Sequence, residues 1–246
     1  MTMGDVSTTF SPGGWAFTRE VVEVFDDHVR ASVPHYDLIQ QIVANCSDWL
    51  LPSGGLVADI GASTGTTVEM ILSRHQDRDV RVALYDENRD MLSKASEKLD
   101  KLGRKATCYP ATLPKDGLKH YGADLTLSLF TLQFMRMRDR LDILTQARRH
   151  SSDTGALLVA EKIRPLDSRW AEIARELTHD WKADHGIDSE SIRAKQRALR
   201  GVLVPYPATT LTFLIEKAGW VDPEVIFRWN EWVLVGAFAT RDGVES

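Results

Sequence analysis

Long apolar runs and paired cysteines are both absent from this sequence of 246 residues. No segment approaches the roughly 18 consecutive apolar residues that a membrane-spanning helix needs. The first residues, Met1–Asp5, lack the charged and apolar regions of a secretory signal. The two cysteines, Cys46 and Cys108, lie far apart without metal-ligand spacing, which predicts reduced thiols and no metal site. We therefore expect a cytoplasmic protein that contacts no membrane.

An excess of basic residues is also absent, since 35 acidic side chains outnumber 30 lysines and arginines. The net charge of −5 offers no general attraction to phosphate backbones, so no direct nucleic-acid binding is expected. Internal repeats and low-complexity tracts are missing as well. The length suits one large α/β domain with an inserted subdomain, and we predict a single domain over residues 1–246.

The most informative segment is Val57–Gly65, an apolar run that ends in an acidic residue and a turn with two glycines. Gly61 and Gly65 carry no Cβ, so the turn can approach a ligand closely and present backbone N–H groups to it. A second apolar run, Val80–Tyr85, ends in Asp86, whose carboxylate suits the two hydroxyls of a ribose. Together the turn and the acid predict a cofactor that contains adenosine.

The spacing of the glycines indicates which cofactor this is. A dinucleotide site needs three glycines as G-x-G-x-x-G, and Ser63 occupies the position of the second one. The observed D-x-G-x-x-x-G fits S-adenosylmethionine, whose methionine part has no phosphates to hold. Two alternatives stay open, namely a strand-turn-helix connection without a ligand and a nicotinamide-dependent enzyme.

Strands and helices alternate along most of the chain, which predicts a parallel sheet with right-handed crossovers. A helical cap over residues 19–51, broken at Pro34, precedes the first strand, and a charged helical insertion over residues 165–205 covers the expected active site. The turn Asn230-Glu231 joins the last two strands so tightly that they must be antiparallel. The expected helices are Thr64–Arg74, Arg89–Leu102, Arg138–His150 and Ala208–Ala218, and the expected strands are the run from Val57, Val80–Tyr85, Ala106–Pro110, Asp124–Phe130, Ala156–Lys162, Val225–Trp229 and Trp232–Phe238.

This order indicates an α/β protein with the class I methyltransferase (Rossmann-like) fold, a mainly parallel seven-stranded sheet that ends in an antiparallel hairpin. Seven further segments follow one another along most of the chain, namely Val24–Phe25, Ser32–Tyr36, Asp59–Ser63, Phe130–Phe134, Ala160–Lys162, His179–Lys182 and Lys217–Trp220. Together they resemble the carboxy-S-adenosyl-L-methionine synthases. Those enzymes make a carboxylated cofactor from S-adenosylmethionine and prephenate for tRNA wobble-uridine modification.

The resemblance implies a homodimer and a set of cofactor contacts. Tyr36 would line the cofactor site, the glycine turn would wrap the methionine end, and the acids after the second strand would hold the ribose. A further pair would lie beside the adenine, and one position before the Phe130–Phe134 segment would orient the cofactor. With the motif residues included, the cofactor-binding set is Tyr36, Asp59, Gly61, Ala62, Ser63, Gly65, Asp86, Glu87, Ala111, Thr112 and Leu129.

The chain departs from the family pattern at several of these positions. Ala111 and Thr112 stand where the family shows an acidic residue followed by an aliphatic one, and Leu129 replaces an asparagine. Gln196 falls on the arginine that pairs with the extra carboxylate in the family, and Arg197 follows it. Both are expected to bind substrate, although a helix turns about 100° per residue, so Arg197 takes over only if the register shifts.

A glutamine carries no charge to pair with a buried carboxylate, so ordinary methyl transfer is favoured over synthesis of the carboxylated cofactor. We therefore predict an S-adenosylmethionine-dependent methyltransferase that acts on a small-molecule acceptor. One alternative is the synthase reaction with prephenate. An alternative of another class is a non-catalytic protein that binds the cofactor and serves as a partner for another enzyme.

The candidate general base is His179, which lies in the insertion within the matching His179–Lys182 segment and precedes Asp180. Its alternative role is a hydrogen bond within the helical layer. Structural alternatives also remain for three other features. Tyr36 can cap a helix, Glu161-Lys162 can be a solvated pair, and the cations from Arg193 to Arg200, including Lys195, can form one solvated helix face.

Overall fold

The computed structural model describes residues 19–241, and within them a seven-stranded β-sheet forms the centre of the protein. The strands are β1 (Leu56–Ile60), β2 (Arg81–Asp86), β3 (Thr107–Pro110), β4 (Ala123–Leu129), β5 (Ser151–Lys162), β6 (Val221–Trp229) and β7 (Trp232–Phe238). They lie in the order β3-β2-β1-β4-β5-β7-β6. The predicted single domain also included residues 1–18 and 242–246, which lie outside the described residues.

The sheet has the mixed character that the sequence predicted. Strands β1 to β5 pair in parallel, whereas β7 pairs antiparallel with both β5 and β6. The turn between β6 and β7 places Asn230 at φ 51°, a left-handed conformation that asparagine tolerates better than most residues. The α/β fold with a C-terminal hairpin is thereby confirmed.

Helices cover both faces of the sheet, and buried aliphatic side chains from each face form two core clusters around it. The helices are α1 (Arg19–Glu23), α2 (Phe25–Ser32), α3 (Tyr36–Leu50), α4 (Thr66–Arg74), α5 (Arg89–Lys101), α6 (Met137–His150), α7 (Ser168–Asp184), α8 (Ser189–Ala198) and α9 (Ala208–Lys217). A short 3-10 helix, Leu132–Phe134, follows β4. The charged segment after β5 is helical, as predicted.

Most expected boundaries are met to within two residues, and three differences from the sequence-based expectation are larger. The cap breaks at Val24 as well as at Pro34, because Val24 has φ −108° and ψ 9°, and its side chain is 40% exposed. Strand β5 begins at Ser151 and β6 at Val221, in both cases before the apolar runs at Ala156 and Val225. Strand β6 tolerates Pro223 because it lies at the edge of the sheet, where a missing N–H breaks no ladder.

Parallel strands β1, β2 and β4 end at the same edge of the sheet, where the chain order reverses between β1 and β4. Open α/β sheets bind ligands at such an edge. Among residues 19–241, no helix is long and apolar enough to cross a bilayer, and no group of three metal-ligating side chains is found.

Candidate functional site

A cavity of about 440 Å³ lies at this edge of the sheet. Its floor is made by the ends of β1, β2 and β4, and α2 and the start of α3 form one wall. Lys182 from α7 and Lys195 from α8 also line it. The volume falls in the range of small-molecule sites, so the cavity is the natural place for a cofactor and an acceptor.

The glycine turn after β1 borders the cavity with three of its residues in the left-handed conformation. Gly61 and Gly65 have φ 81° and 73°, and Ser63 has φ 50°. The N–H groups of Gly61 and Ala62 both donate to Tyr85 O, at 2.8 and 2.9 Å. The N–H of Gly65 donates to Ala62 O. The expectation that these N–H groups face a ligand is therefore wrong, because their hydrogen bonds hold the turn against β2. The other expectation, that a ligand can approach the turn closely, is unaffected by these bonds.

Asp86 ties the turn to the second strand. Its Oδ2 accepts a hydrogen bond from Ser63 N at 2.9 Å, and its Oδ1 accepts one from Asn88 N at 2.9 Å. Burial raises the pKa of the Asp86 carboxyl, and these two hydrogen bonds act against that rise. Each carboxylate oxygen keeps a second acceptor site, so the group can still receive two hydroxyl hydrogens. Glu87 lies beside it on the cavity wall.

Asp59 brings a second carboxyl to the cavity. It is 3% exposed at the end of β1, and burial together with Asp86 raises its pKa to about 7. A buried carboxyl in this state gains most from a cationic group placed next to it. The ammonium of an amino acid would be such a group, and the methionine end of the predicted cofactor carries one.

Aromatic side chains also line the cavity. Tyr36 is the first residue of α3, and its ring lies 5.8 Å from that of Phe130, which in turn packs edge-on against Trp232. The position before the helix belongs to His35, at φ 58°. Tyr36 thus begins a helix and also lines the cavity. Burial raises the pKa of its hydroxyl, so the group stays neutral.

Of the two residues expected beside the adenine, only Ala111 lines the cavity. Ala111 and Leu129 line the cavity, whereas Thr112 does not and instead donates its N–H to Asp116 Oδ2 at 2.7 Å. Leu113, one residue further, takes a place in the lining. The family pattern places an aliphatic residue at position 112, where this chain has Thr112. Leu113 supplies the aliphatic side chain one residue later, and the sequence comparison therefore missed it.

The structure does not bring His179, Gln196 and Arg197 to the cavity. His179 in α7 and Gln196 in α8 contact each other through their side-chain nitrogens, outside the lining. Burial lowers the pKa of His179. Arg197 is exposed. The position of His179 therefore fits its alternative role, a hydrogen bond within the helical layer.

The cations that do line the cavity are Lys162, Lys182 and Lys195. Lys195 belongs to the charged run from Arg193 to Arg200, for which one interpretation was a single solvated helix face. Three members of the run fit that interpretation, since Arg193, Arg197 and Arg200 are exposed. Lys195 turns inward because successive residues of a helix point about 100° apart. Its spacing from Ile192 and Leu199, at i−3 and i+4, was the signal in the sequence that placed it on the inner face.

Glu161, the neighbour of Lys162, is buried and not part of a solvated pair. It is 3% exposed, and its Oε1 accepts a hydrogen bond from Leu132 N at 2.9 Å. No described residue donates to its Oε2. Burial raises the pKa of Glu161 to about 8 against the opposing effect of Arg140. The carboxyl therefore holds the 3-10 helix in place behind the cavity.

This buried carboxyl predicts a pH dependence of stability. In the unfolded chain Glu161 loses its proton near its ordinary pKa of 4.5, whereas the folded protein keeps it up to about 8. Between these two pH values the folded state binds more protons than the unfolded chain does. The contribution of Glu161 to the free energy of unfolding therefore falls as pH rises. Glu161→Gln cannot ionise, and urea unfolding from pH 5 to about 8 should show a flatter profile than the wild type. Exposed Glu216→Gln should leave the slope unchanged; equal slopes in all three proteins would contradict the assignment.

Known proteins resemble the chain over most of its length, although no protein-family model matches it. The carboxy-S-adenosyl-L-methionine synthase of Campylobacter concisus (strain 13826) is 30% identical over 222 residues, which cover 90% of this chain and 93% of that protein. The enzyme of the same name from Staphylococcus epidermidis (strain RP62A) is 28% identical over 236 residues, covering 91% and 96%.

Two solved structures with a similar fold are titled as methyltransferases. A putative O-methyltransferase from Nostoc punctiforme PCC 73102 has a TM-score of 0.64 at 13% identity, covering 89% of this chain and 59% of its own. An S-adenosylmethionine-dependent methyltransferase from Aquifex aeolicus has a TM-score of 0.59 at 17% identity, covering 92% and 100%. These likenesses identify the fold as Rossmann-like. The identity over nearly the full length of the Campylobacter enzyme identifies the family, and the chain belongs to the carboxy-S-adenosyl-L-methionine synthase family.

Proposed function

We propose that this chain transfers the methyl group of S-adenosylmethionine to a small-molecule acceptor. S-adenosylmethionine is its cofactor or substrate. The observation that carries the proposal is the Asp86 carboxylate, which lies at the end of β2 and pins the glycine turn through Ser63 N while keeping acceptor sites for a ribose. The same cavity holds Asp59 and the aromatic wall at Tyr36.

The residues present suit this cofactor. A Cβ at Gly61 would collide with Thr131, and one at Gly65 with Ala95, so the turn needs both glycines to keep its shape. Gly61 lines the cavity, whereas Gly65 lies behind the lining, against Ala95. Asp86 and Glu87 would hold the ribose, Asp59 would face the ammonium, and Tyr36 and Leu129 would enclose the rest. When bound, S-adenosylmethionine supplies a methyl group on a positively charged sulfur.

The contribution of the chain is therefore mainly alignment and exclusion of water. Phe25 and Val29 of α2 line the cavity, as do the rings of Phe130 and Trp232, which pack against each other. Methyl transfer to an aligned acceptor needs no covalent intermediate on the protein. Because His179 lies outside the lining, the proposal includes no general base.

The synthase reaction is a second candidate, and one observation favours it. The uncharged Gln196 counted against a carboxylate in the site, but the residue that faces the cavity from α8 is Lys195. Lysines can therefore hold a carboxylate that the family binds with arginine. The candidate of another class, a cofactor-binding partner without turnover, differs from both in forming no product.

One experiment separates methyl transfer from the synthase reaction. The protein is purified without added ligand, and the small molecule that accompanies it is identified by mass spectrometry. The protein is then incubated with S-adenosylmethionine, with and without prephenate. For a methyltransferase we expect bound S-adenosylmethionine or its demethylated product and no carboxylated cofactor. Efficient formation of the carboxylated cofactor would replace methyl transfer by the synthase reaction, and an empty protein would contradict both.

The domain limits, the homodimer and the cytoplasmic location stay proposals. Residues from the cap at 19–51 and from the insertion at 165–205 line the cavity together, which supports the proposed role of both segments. A homodimer is supported by α7, where Trp170, Ile173 and Leu177 expose apolar surface at i, i+3 and i+7. Light scattering of the purified protein would give the mass of the particle in solution.

A further inference from the structure

Helix α2 is flanked by non-helical backbone at both ends. Val24, before it, has φ −108° and ψ 9°, and Val33, after it, is extended at φ −112° and ψ 107°. His35 follows with φ 58°. Residues of this kind absorb changes in φ and ψ when an element moves, and a helix of eight residues has little stability of its own. Contacts with the rest of the protein therefore decide where α2 lies.

One face of α2 lines the cavity. Its lining residues are spaced i, i+3, i+4 and i+7, which places them on one side of the helix, and they are Phe25, His28, Val29 and Ser32. Thr64 from the glycine turn and Thr66 from the start of α4 line the same cavity. A small-molecule site buries most of its ligand. A ligand in this cavity therefore loses part of its cover whenever α2 moves away from the turn.

Asp26 joins α2 to the glycine turn. Its Oδ1 accepts hydrogen bonds from Thr64 Oγ1 and from Thr66 Oγ1, and both threonines are buried. Burial acts to raise the pKa of the Asp26 carboxyl, but the hydrogen bonds from Lys98 and Thr64 outweigh it and hold the pKa below its ordinary value. The group is therefore a carboxylate at neutral pH.

Lys98 from α5 completes this contact. Its Nζ lies 2.7 Å from Asp26 Oδ2 and donates to the hydroxyls of Thr66 and Thr64 at 3.0 and 3.3 Å. The side chains of Lys98 and Asp26 are only 17% and 24% exposed, so water screens this pair less than it screens an ion pair on the surface. We call the cluster of Asp26, Thr64, Thr66 and Lys98 the cap latch.

The same helix α5 holds α1 through a separate contact. Lys94, one turn before Lys98, donates from Nζ to Val22 O and to Glu23 O, each at 3.0 Å. These carbonyls belong to the last turn of α1, where a helix has no internal partners for them. Helix α1 is therefore fastened to α5 without Asp26, and α2 can leave the glycine turn while α1 stays in place.

We propose that Asp26 and Lys98 are positioning residues that fasten α2 to the glycine turn, and that α2 breaks the cap latch each time the cofactor enters or leaves. The proposal rests on the proposed function only for the identity of the cofactor, and it applies equally to methyl transfer and to the synthase reaction. Neither Asp26 nor Lys98 lines the cavity, so the cap latch does not depend on what the cavity contains.

The cap latch has a kinetic consequence that a cofactor contact does not have. When the latch is weakened, α2 is open more often both with and without cofactor. The association and dissociation rate constants then rise by the same factor, and Kd stays nearly unchanged. Loss of a direct contact instead raises the dissociation rate constant and weakens the affinity. The two roles are therefore distinguishable by experiment.

Stopped-flow fluorescence with S-adenosylhomocysteine measures both rate constants, with Trp232 in the cavity lining as the reporter. Lys98→Met should raise both about fivefold, because it removes the charge of a partly buried ion pair, and so should Asp26→Asn. The double variant should show no larger rise than the greater single one, since both changes remove the same contact. Lys101→Met and Asp27→Asn remove exposed charges from the same two helices and are the matched controls.

Hydrogen exchange gives a readout that needs no cofactor. The amide groups of α2 should exchange about fivefold faster in Lys98→Met than in the wild type, because exchange follows the population of the open form. Those of α3 should keep their wild-type rates. The comparison of the two helices separates the release of α2 from a general loss of stability.

The outcomes also separate this proposal from the proposed function. Wild-type rate constants together with wild-type exchange of α2 in a folded Lys98→Met protein would overturn it. A rise in the dissociation rate constant alone, with weaker affinity, would overturn it too, because Asp26 and Lys98 would then support cofactor contacts and not the movement of α2. Absence of methyl transfer in a protein with the expected rate constants would count against the proposed function alone.

Discussion

Asp86→Ala is expected to weaken the binding of S-adenosylmethionine by about tenfold or more, the largest loss that any single side chain of the cavity should cause. The carboxylate would accept two hydroxyl hydrogens, and each charge-assisted hydrogen bond contributes roughly 1.5–3 kcal/mol. The substitution also releases Ser63 N, which Asp86 Oδ2 now holds at 2.9 Å. Calorimetric titration with S-adenosylmethionine and with S-adenosylhomocysteine measures both losses together.

Two further variants separate these contributions. Asp86→Asn keeps one carbonyl oxygen for Ser63 N but loses the charge, so its affinity should lie between those of the wild type and Asp86→Ala. Asp90→Ala removes an exposed carboxyl from the first turn of α5, outside the cavity, and should leave affinity unchanged. Unchanged affinity in Asp86→Ala would remove the ribose assignment from this residue.

Gly61→Ala is expected to destabilise the protein by roughly 3 kcal/mol or more and to abolish cofactor binding. Gly61 has φ 81°, a conformation that costs an L-residue about 1–2 kcal/mol. An added Cβ would also collide with the side chain of Thr131, which itself lines the cavity. Relief of the collision must move either the turn or Thr131, and each movement changes the cofactor surface.

Gly54→Ala is the matched control for this prediction. Gly54 has φ 77°, but a Cβ added there would meet nothing within 4 Å. Its loss of stability should therefore report the backbone conformation alone, about 1–2 kcal/mol. Urea unfolding of both variants gives the difference, which measures the collision. Equal losses at the two positions would show that Thr131 yields without cost and that the turn tolerates a side chain.

Local patterns were sufficient to predict much of the fold and one half of the site. The apolar runs, the glycine turn and Asp86 lie close together in sequence, and their geometry follows from the strand-turn-helix connection that contains them. The hairpin at Asn230 was predictable for the same reason, since a two-residue connection permits only antiparallel strands. Strand β5 began earlier than expected because Ser151–Gly155 are largely polar and join the sheet only through pairing.

The other half of the site depended on contacts between distant segments. The N–H groups of Gly61 and Ala62 are occupied by Tyr85 O, a partner that only the pairing of β1 with β2 brings near. Glu161 is buried because the 3-10 helix after β4 covers it, and nothing in the local sequence distinguishes it from a solvated acid. Exposure of a charged residue is a property of the packed layers, so the local pattern cannot decide it.

The sequence by itself determined the alternation of strands and helices, the turn with two glycines and the acid after the second strand, because each is a property of neighbouring residues. Only the tertiary structure decided which side chains of α7 and α8 face the cofactor edge. A helix rotates about 100° per residue, so the packed face turns Lys195 into the cavity and Gln196 toward His179. The position of that face is set by contacts with α2, the sheet and the C-terminal hairpin, which lie far away in the chain.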